Sequence, residues 1–226
     1  MVLQVQWTNR TDEPDEPKEP VEPTERDPMH LLNPMNPMNP GDRHAAGVAA
    51  LQRLGGPDVA APILAAADVA PDLVRFAIDF AFGEVLSRPG LDLRTRELCT
   101  VAALSGLGHA EAQLKWHIDA ALYVGATKGE VDQVKRIARG YAQPSNGGAA
   151  EQGPLDPVTR ELATVALLTA IGTQPGALKN HVRAARVAGA TREQIVHVLE
   201  QMAIYAGFPA ALNGVAAARD VFAEPQ

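Results

Sequence analysis

The 226-residue chain has one cysteine, Cys99, which excludes an internal disulfide, a Cys-x-x-Cys redox pair and a thiolate metal cage. A lone thiol suits a reducing compartment, so a cytoplasmic protein is expected. No uncharged apolar run approaches the roughly 20 residues of a membrane span. The opening MVLQVQWTNR has neither the basic start nor the apolar stretch of a signal peptide. No membrane partner is expected. Alternating β-branched runs with hairpin turns are missing, which leaves little material for a sheet. No His-x-x-x-His or Glu-x-x-His pair occurs in the repeated units described below, so a metal site is not expected.

A basic field is missing as well. The chain carries a formal charge of −7. Residues 1–42, which include RTDEPDEPKEPVEPTER and LLNPMNPMNPGD, hold nine acids and three bases, leaving −1 for the remainder. Proline denies the backbone donors that helices need and the acids repel one another, so residues 1–42 read as a disordered tail. The near-neutral remainder has no surplus of cations to condense on phosphates, and nucleic acid is not an expected partner.

What the chain does contain is a repeat. LDLRTRELCTVAALSGLGHAEAQLKWHIDAALYVGATKGEV, from Leu91, aligns without a gap on LDPVTRELATVALLTAIGTQPGALKNHVRAARVAGATREQI, from Leu155, at a constant offset of 64 residues. About half the positions are identical, and the offset also carries Tyr141 onto Tyr205. The expected organisation is a first unit over 43–142, a flexible connector QPSNGGAAEQGP over 143–154, and a second unit over 155–226.

Each unit reads as three helices. Asp92 and Asp156 are N-cap candidates, and Leu98, Val101, Ala102 and Leu104 share a helical face. Gly125 and Gly189 close the second helix, and Thr127 with Glu130, like Thr191 with Gln194, forms the capping box that opens the third. Upstream, Leu73, Phe76, Ala77, Phe80 and Ala81 suggest a further apolar helical face; downstream, Gly207 ends a helix and Pro209 starts the next. The expected fold class is all-α, a multihelical bundle of two repeated units.

Polar residues recur at the same offset. Glu97 and Glu161 each precede a histidine, His117 and His181, by 20 positions. Adjacent helices joined by a short turn pack antiparallel, so each glutamate can face its histidine and form a proton-handling pair. GEVLSRPGLDLRTRE adds Glu84, Arg88, Arg94 and Arg96 around a helix break, where guanidinium groups suit capture of an anionic small molecule. Cys99 aligns with Ala163 and reads as a small core residue.

These stretches resemble the carboxymuconolactone decarboxylase family. FAFGEVLSRPGLDLRTREL, LKWHIDAALYVGAT and QMAIYAGFPAALNG carry the likeness, which extends over 43–224. The resemblance implies an all-helical fold related to that of alkyl hydroperoxidase D, no metal or organic cofactor, and assembly of short subunits into rings of six. It also implies decarboxylation of a small anionic lactone in aromatic catabolism. In that scheme His117 is the acid, Glu84 or Glu97 sets its protonation state, and Arg88, Arg94 and Arg96 hold carboxylates. His181 and Glu161 form a second site or a relic of one.

This chain departs from the single-copy pattern. GEVLSRPG occurs only in the first unit and YAGFPAALN only in the second, so deleting 64 residues would restore one ordinary subunit. A pseudo-dimer inside each chain, and a homo-oligomer of three chains, are expected. The hydroperoxidase branch places a second cysteine four residues before the histidine, where this chain has Gln113 and Ala177. Peroxide reduction by Cys99, or a non-catalytic oligomeric module, are the competing readings.

Overall fold

The computed structural model describes residues 40–142 and 153–225. Of the expected acidic tail, residues 1–39 lie outside the described residues, and so do residues 143–152 of the connector. The first helix starts inside the segment read as tail, at Pro40. Among the described residues every regular element is helical: α1 (Pro40–Gly55), α2 (Ala61–Leu64), α3 (Pro71–Phe76) running directly into a π-helical segment (Ala77–Leu86), α4 (Leu93–Leu107), α5 (Glu111–Tyr123), α6 (Lys128–Ala142), α7 (Pro157–Ile171), α8 (Pro175–Ala188) and α9 (Arg192–Phe222).

The chain stops and starts its helices where local chemistry directs. Asp92 and Asp156 accept from the backbone N–H groups of Thr95 and Thr159, both at 2.9 Å, a capping contact that stabilises a helix by about 1 kcal/mol. Thr127 and Glu130 exchange side-chain and backbone bonds, as do Thr191 and Gln194. At Gly207, φ is 83° and ψ is 162°, which breaks α9 two residues before Pro209. An L side chain at Gly207 would be strained, whereas glycine adopts positive φ freely. By length and composition α9 is long and apolar enough to cross a membrane. Its residues Ile195, Val198, Leu199, Met202 and Val221 pack in the core, and Gly207 divides it.

The helices obey the offset in space as well as in sequence. Helix α4 packs on α5 and α6, and α7 packs correspondingly on α8 and α9. The two copies meet along α4 and α7, the most extensive helix pair, and cross over: α4 also touches α9, and α7 touches α6. Both central helices are therefore enclosed. Residues 95–104 of α4 are buried on every side. Burial of Leu98, Val101, Ala102 and Leu104 was expected; burial of Arg96, Glu97 and Thr100 follows from the extra neighbours.

Of the expected apolar face of the upstream helix Ala81 is buried, but the large side chains are not. Leu73, Phe76 and Phe80 are 64, 54 and 37% exposed, while Val74, Ile78, Phe82 and Leu86 face the core. Val74 is already the buried residue of α3, and from Ala77 onward the wider π turns re-aim the side chains. Buried positions then recur every four residues. Helix α1 lies against this segment at backbone contact: a Cβ on Gly47 would sit 2.1 Å from the carbonyl oxygen of Ile78, and one on Gly83 would sit 2.3 Å from that of Arg43.

Candidate functional site

Helix α4 carries Glu97 and α5 returns antiparallel with His117. The imidazole Nδ1 lies 2.7 Å from Glu97 Oε2, with 7% of the histidine side chain and none of the glutamate exposed. An ionised carboxylate only accepts, so Nδ1–H donates and the neutral ring keeps its lone pair on Nε2. Trp116 and Tyr205 frame the ring edge-on, with centroids at 4.7 and 5.3 Å. The other carboxylate oxygen, Glu97 Oε1, is buried and meets no hydrogen-bond donor among the described residues. Leaving a charged acceptor without a donor costs about 1–3 kcal/mol or more.

The second copy repeats the pair and closes it. His181 Nδ1 lies 2.6 Å from Glu161 Oε2, but its Nε2 is 2.6 Å from the Tyr141 hydroxyl. Glu161 Oε1 accepts two bonds from Arg160, at 3.0 and 3.1 Å. Burial raises the Glu161 pKa, yet the bonds from His181 and Arg160 outweigh it and hold the carboxyl below the usual range. Burial and the Glu161 charge push the Tyr141 phenol up.

Each histidine thus meets a tyrosine from the other copy. Tyr205 follows the second copy's helices and stands at His117, and Tyr141 belongs to the first and stands at His181. Burial and Glu97 raise the Tyr205 phenol, whose hydroxyl pairs with Thr100. The register of Tyr141 and Tyr205 at the 64-residue offset was the sequence signal for these residues; their exchange between copies arises only when α4 meets α9 and α7 meets α6.

Other nominated residues are dispersed. Glu84 contacts Arg43 at 2.7 Å and Arg88 at 3.8 Å, with no bond to His117 among the described residues. Arg88 also reaches Glu200 at 3.1 Å. Glu84, Arg88, Glu200, Phe80, Phe208 and Leu212 line a cavity of about 540 Å³, and neither Glu97 nor His117 is among its lining residues. Arg94 bonds Glu130 of the α6 capping box. Arg96 is buried, donating to the carbonyls of Leu91 and Arg88 and to Gln201 Oε1. Cys99 is fully buried and burial pushes its thiol well up, opposite to the thiolate a nucleophile needs. No group of three or more metal-ligating side chains occurs among the described residues.

Comparison with known proteins gives two tandem matches to a family model described as the carboxymuconolactone decarboxylase family, over residues 71–146 and 143–220. A 4-carboxymuconolactone decarboxylase of Acinetobacter baylyi is 43% identical over 67 residues, 30% of this chain and 49% of that protein. An uncharacterized 15.0 kDa protein of Paracoccus denitrificans, from an nqo9-nqo10 intergenic region, is 39% identical over 62 residues, covering 27% of this chain and 46% of its own. The chain spans about half the length of the curated relatives it matches.

Proposed function

The chain belongs to the carboxymuconolactone decarboxylase family, and on that premise we propose that it is a cofactor-independent carboxy-lyase acting on a small anionic lactone of the 4-carboxymuconolactone type. The observation that carries the reading is the buried Glu97–His117 pair, whose Nε2 has no hydrogen-bond partner among the described residues. In the proposed reaction the C–C bond to the substrate carboxylate breaks and CO2 leaves. The electron pair passes into the lactone carbonyl as an enolate; His117, first protonated on Nε2 by a proton taken from water, gives that proton to carbon and ends as the neutral ring. Glu97 orients the imidazole and stabilises its protonated form. The aromatic surround of Trp116 and Tyr205 excludes water from the ring edge.

Of the three arginines nominated for the substrate, Arg94 and Arg96 are occupied by Glu130 and by Gln201 with two backbone carbonyls. Arg88 is paired with Glu200 and Glu84 but lines the cavity, and it is the one of the three proposed to exchange a carboxylate partner for an anion. The first pair is the working site in this proposal, since Tyr141 occupies Nε2 of the second.

The proposed assembly is a trimer of pseudo-dimers. Its contact face includes Leu73, Phe76, Phe208 and Leu212, large apolar side chains at least half exposed in one chain. A solution mass of three chains is expected, and a mass of six contradicts it.

Decarboxylation of 4-carboxymuconolactone, followed as CO2 release and as deuterium uptake into product in D2O, tests the activity. Turnover that survives Cys99→Ala and collapses in His117→Ala is the expected result. Peroxide consumption lost in Cys99→Ala, or no lactone turnover by the intact oligomer, defeats the proposal.

A further inference from the structure

The two copies of the site differ at several buried positions, among them Gln201 against Ile137, and we propose that Gln201 is a positioning residue that keeps the His117 pair open by holding Arg96 away from Glu97. The inference rests on reading Glu97 and His117 as the proton-delivering pair.

Arg96 and Arg160 occupy equivalent places, each immediately before the pairing glutamate. They point differently. Arg160 lays two N–H groups on Glu161 Oε1. Arg96 donates from Nη1 to Gln201 Oε1 at 3.1 Å, and from Nε and Nη2 to the carbonyls of Leu91 and Arg88. The residue at the 64-residue offset from Gln201 is Ile137. An isoleucine side chain offers a guanidinium nothing, so the arginine in the second copy turns to the nearest carboxylate.

Gln201 is itself fixed. It is fully buried, and its amide N–H groups donate to the Arg96 carbonyl and to Thr100 Oγ1, both at 2.9 Å. Thr100 in turn pairs with the Tyr205 hydroxyl. One amide therefore restrains both groups whose counterparts close the second site: the arginine, and through Thr100 the tyrosine. The consequence is a buried Glu97 Oε1 and a His117 Nε2 that both lack a hydrogen-bond partner among the described residues. A carboxylate without an arginine keeps its full charge facing the imidazole that the proposal makes the proton donor.

The titratable and charged groups that meet this pair are Cys99 and Arg96 on α4 and Tyr205 on α9. Around Arg96 stand Arg88, Asp92, Glu200 and His197. Of these, Arg96 is the cation whose counterpart sits on the equivalent glutamate.

The test follows imidazole ring signals by NMR against pH, which requires no substrate. In Gln201→Ile, Arg96 is expected to turn to Glu97 and lower the His117 midpoint by about one pH unit, a tenfold change in the protonated fraction above it. Adding Arg96→Gln to Gln201→Ile is expected to restore the midpoint, a rescue that a merely packing role for Gln201 would not give. The reciprocal Ile137→Gln should draw Arg160 off Glu161 and raise the His181 midpoint. An unmoved His117 midpoint in a folded Gln201→Ile variant, or a shift that Arg96→Gln fails to reverse, overturns the proposal. If Gln201→Ile does not fold, an unmoved His181 midpoint in Ile137→Gln overturns it instead. Shifted midpoints in a protein that leaves the lactone untouched would uphold the role of Gln201 and defeat the proposed activity.

Discussion

The pair at His117 and the pair at His181 share their helices, their spacing and their Nδ1–carboxylate bond, and differ in what holds the other two polar atoms. At His181 a phenol caps Nε2 and an arginine satisfies the second carboxylate oxygen. At His117 both corresponding atoms are without a hydrogen-bond partner among the described residues. A fully bonded pair is what stability favours, and an unsatisfied one persists where the surrounding packing enforces it. Duplication has supplied one scaffold twice, with one copy closed and the other left with two polar atoms unpaired among the described residues.

The largest expected effect separates the two histidines. His117→Ala should reduce lactone turnover by about 10²–10⁴-fold, the usual contribution of a positioned acid, while His181→Ala leaves steady-state rates close to those of the unaltered protein. Equal losses from the two substitutions would show two working sites and break the comparison.

The next effect concerns elements that only the first copy possesses. Gly47→Ala puts a methyl group 2.1 Å from the Ile78 carbonyl oxygen in the π segment. Overpacking of this kind costs about 1–3 kcal/mol, read as a lowered urea midpoint with an unchanged slope. Because the π segment brings Phe82 against Trp116, the His117 ring signals should shift and those of His181 should not. No loss of stability would mean that α1 withdraws from the π segment at little cost.

Tyr141→Phe removes the cap on His181 at an expected net cost of about 1 kcal/mol. It should also speed carbethoxylation of His181, whose Nε2 the phenol covers, without changing that of His117. An unchanged rate at His181 would mean that the Tyr141 contact does not guard the ring.

Much of this contrast is written in the sequence, and its absent parts have a common cause. The caps Asp92 and Asp156, the positive-φ Gly125 and Gly189 and the capping boxes are local devices, legible because each acts within a few residues. The Glu–His contacts join neighbouring helices and follow from a 20-residue spacing. The exchange of Tyr141 and Tyr205 depends on packing between the copies, so their register was visible and their destination was not. Arg94 and Arg96 read as anion binders because charge alone does not disclose a buried partner; Glu130 and Gln201 claim them. The π segment escaped because Leu73, Phe76 and Phe80 give a good α-helical pattern, whereas Val74, Ile78 and Phe82 are the side chains that face the core.

The smallest expected effect sharpens the contrast by pH. Glu161 is held below the ordinary carboxylate range, burial opposing and the His181 and Arg160 bonds prevailing. A carboxyl whose folded pKa lies below its unfolded value, about 4.3 for glutamate, adds stability that is complete above that unfolded value. The contribution fades as pH falls through the folded value, because the folded state resists the proton that the unfolded chain accepts. Stability measured by urea unfolding should therefore decline below about pH 4.5, and Glu161→Gln should flatten the part of that decline owed to this carboxylate. Glu130 and Asp156, lowered by their capping bonds and by Arg94 despite burial, keep the remaining slope in the variant. A decline as steep in Glu161→Gln as in the unaltered chain would mean that the His181 pair is no better bonded in the folded state than its open counterpart.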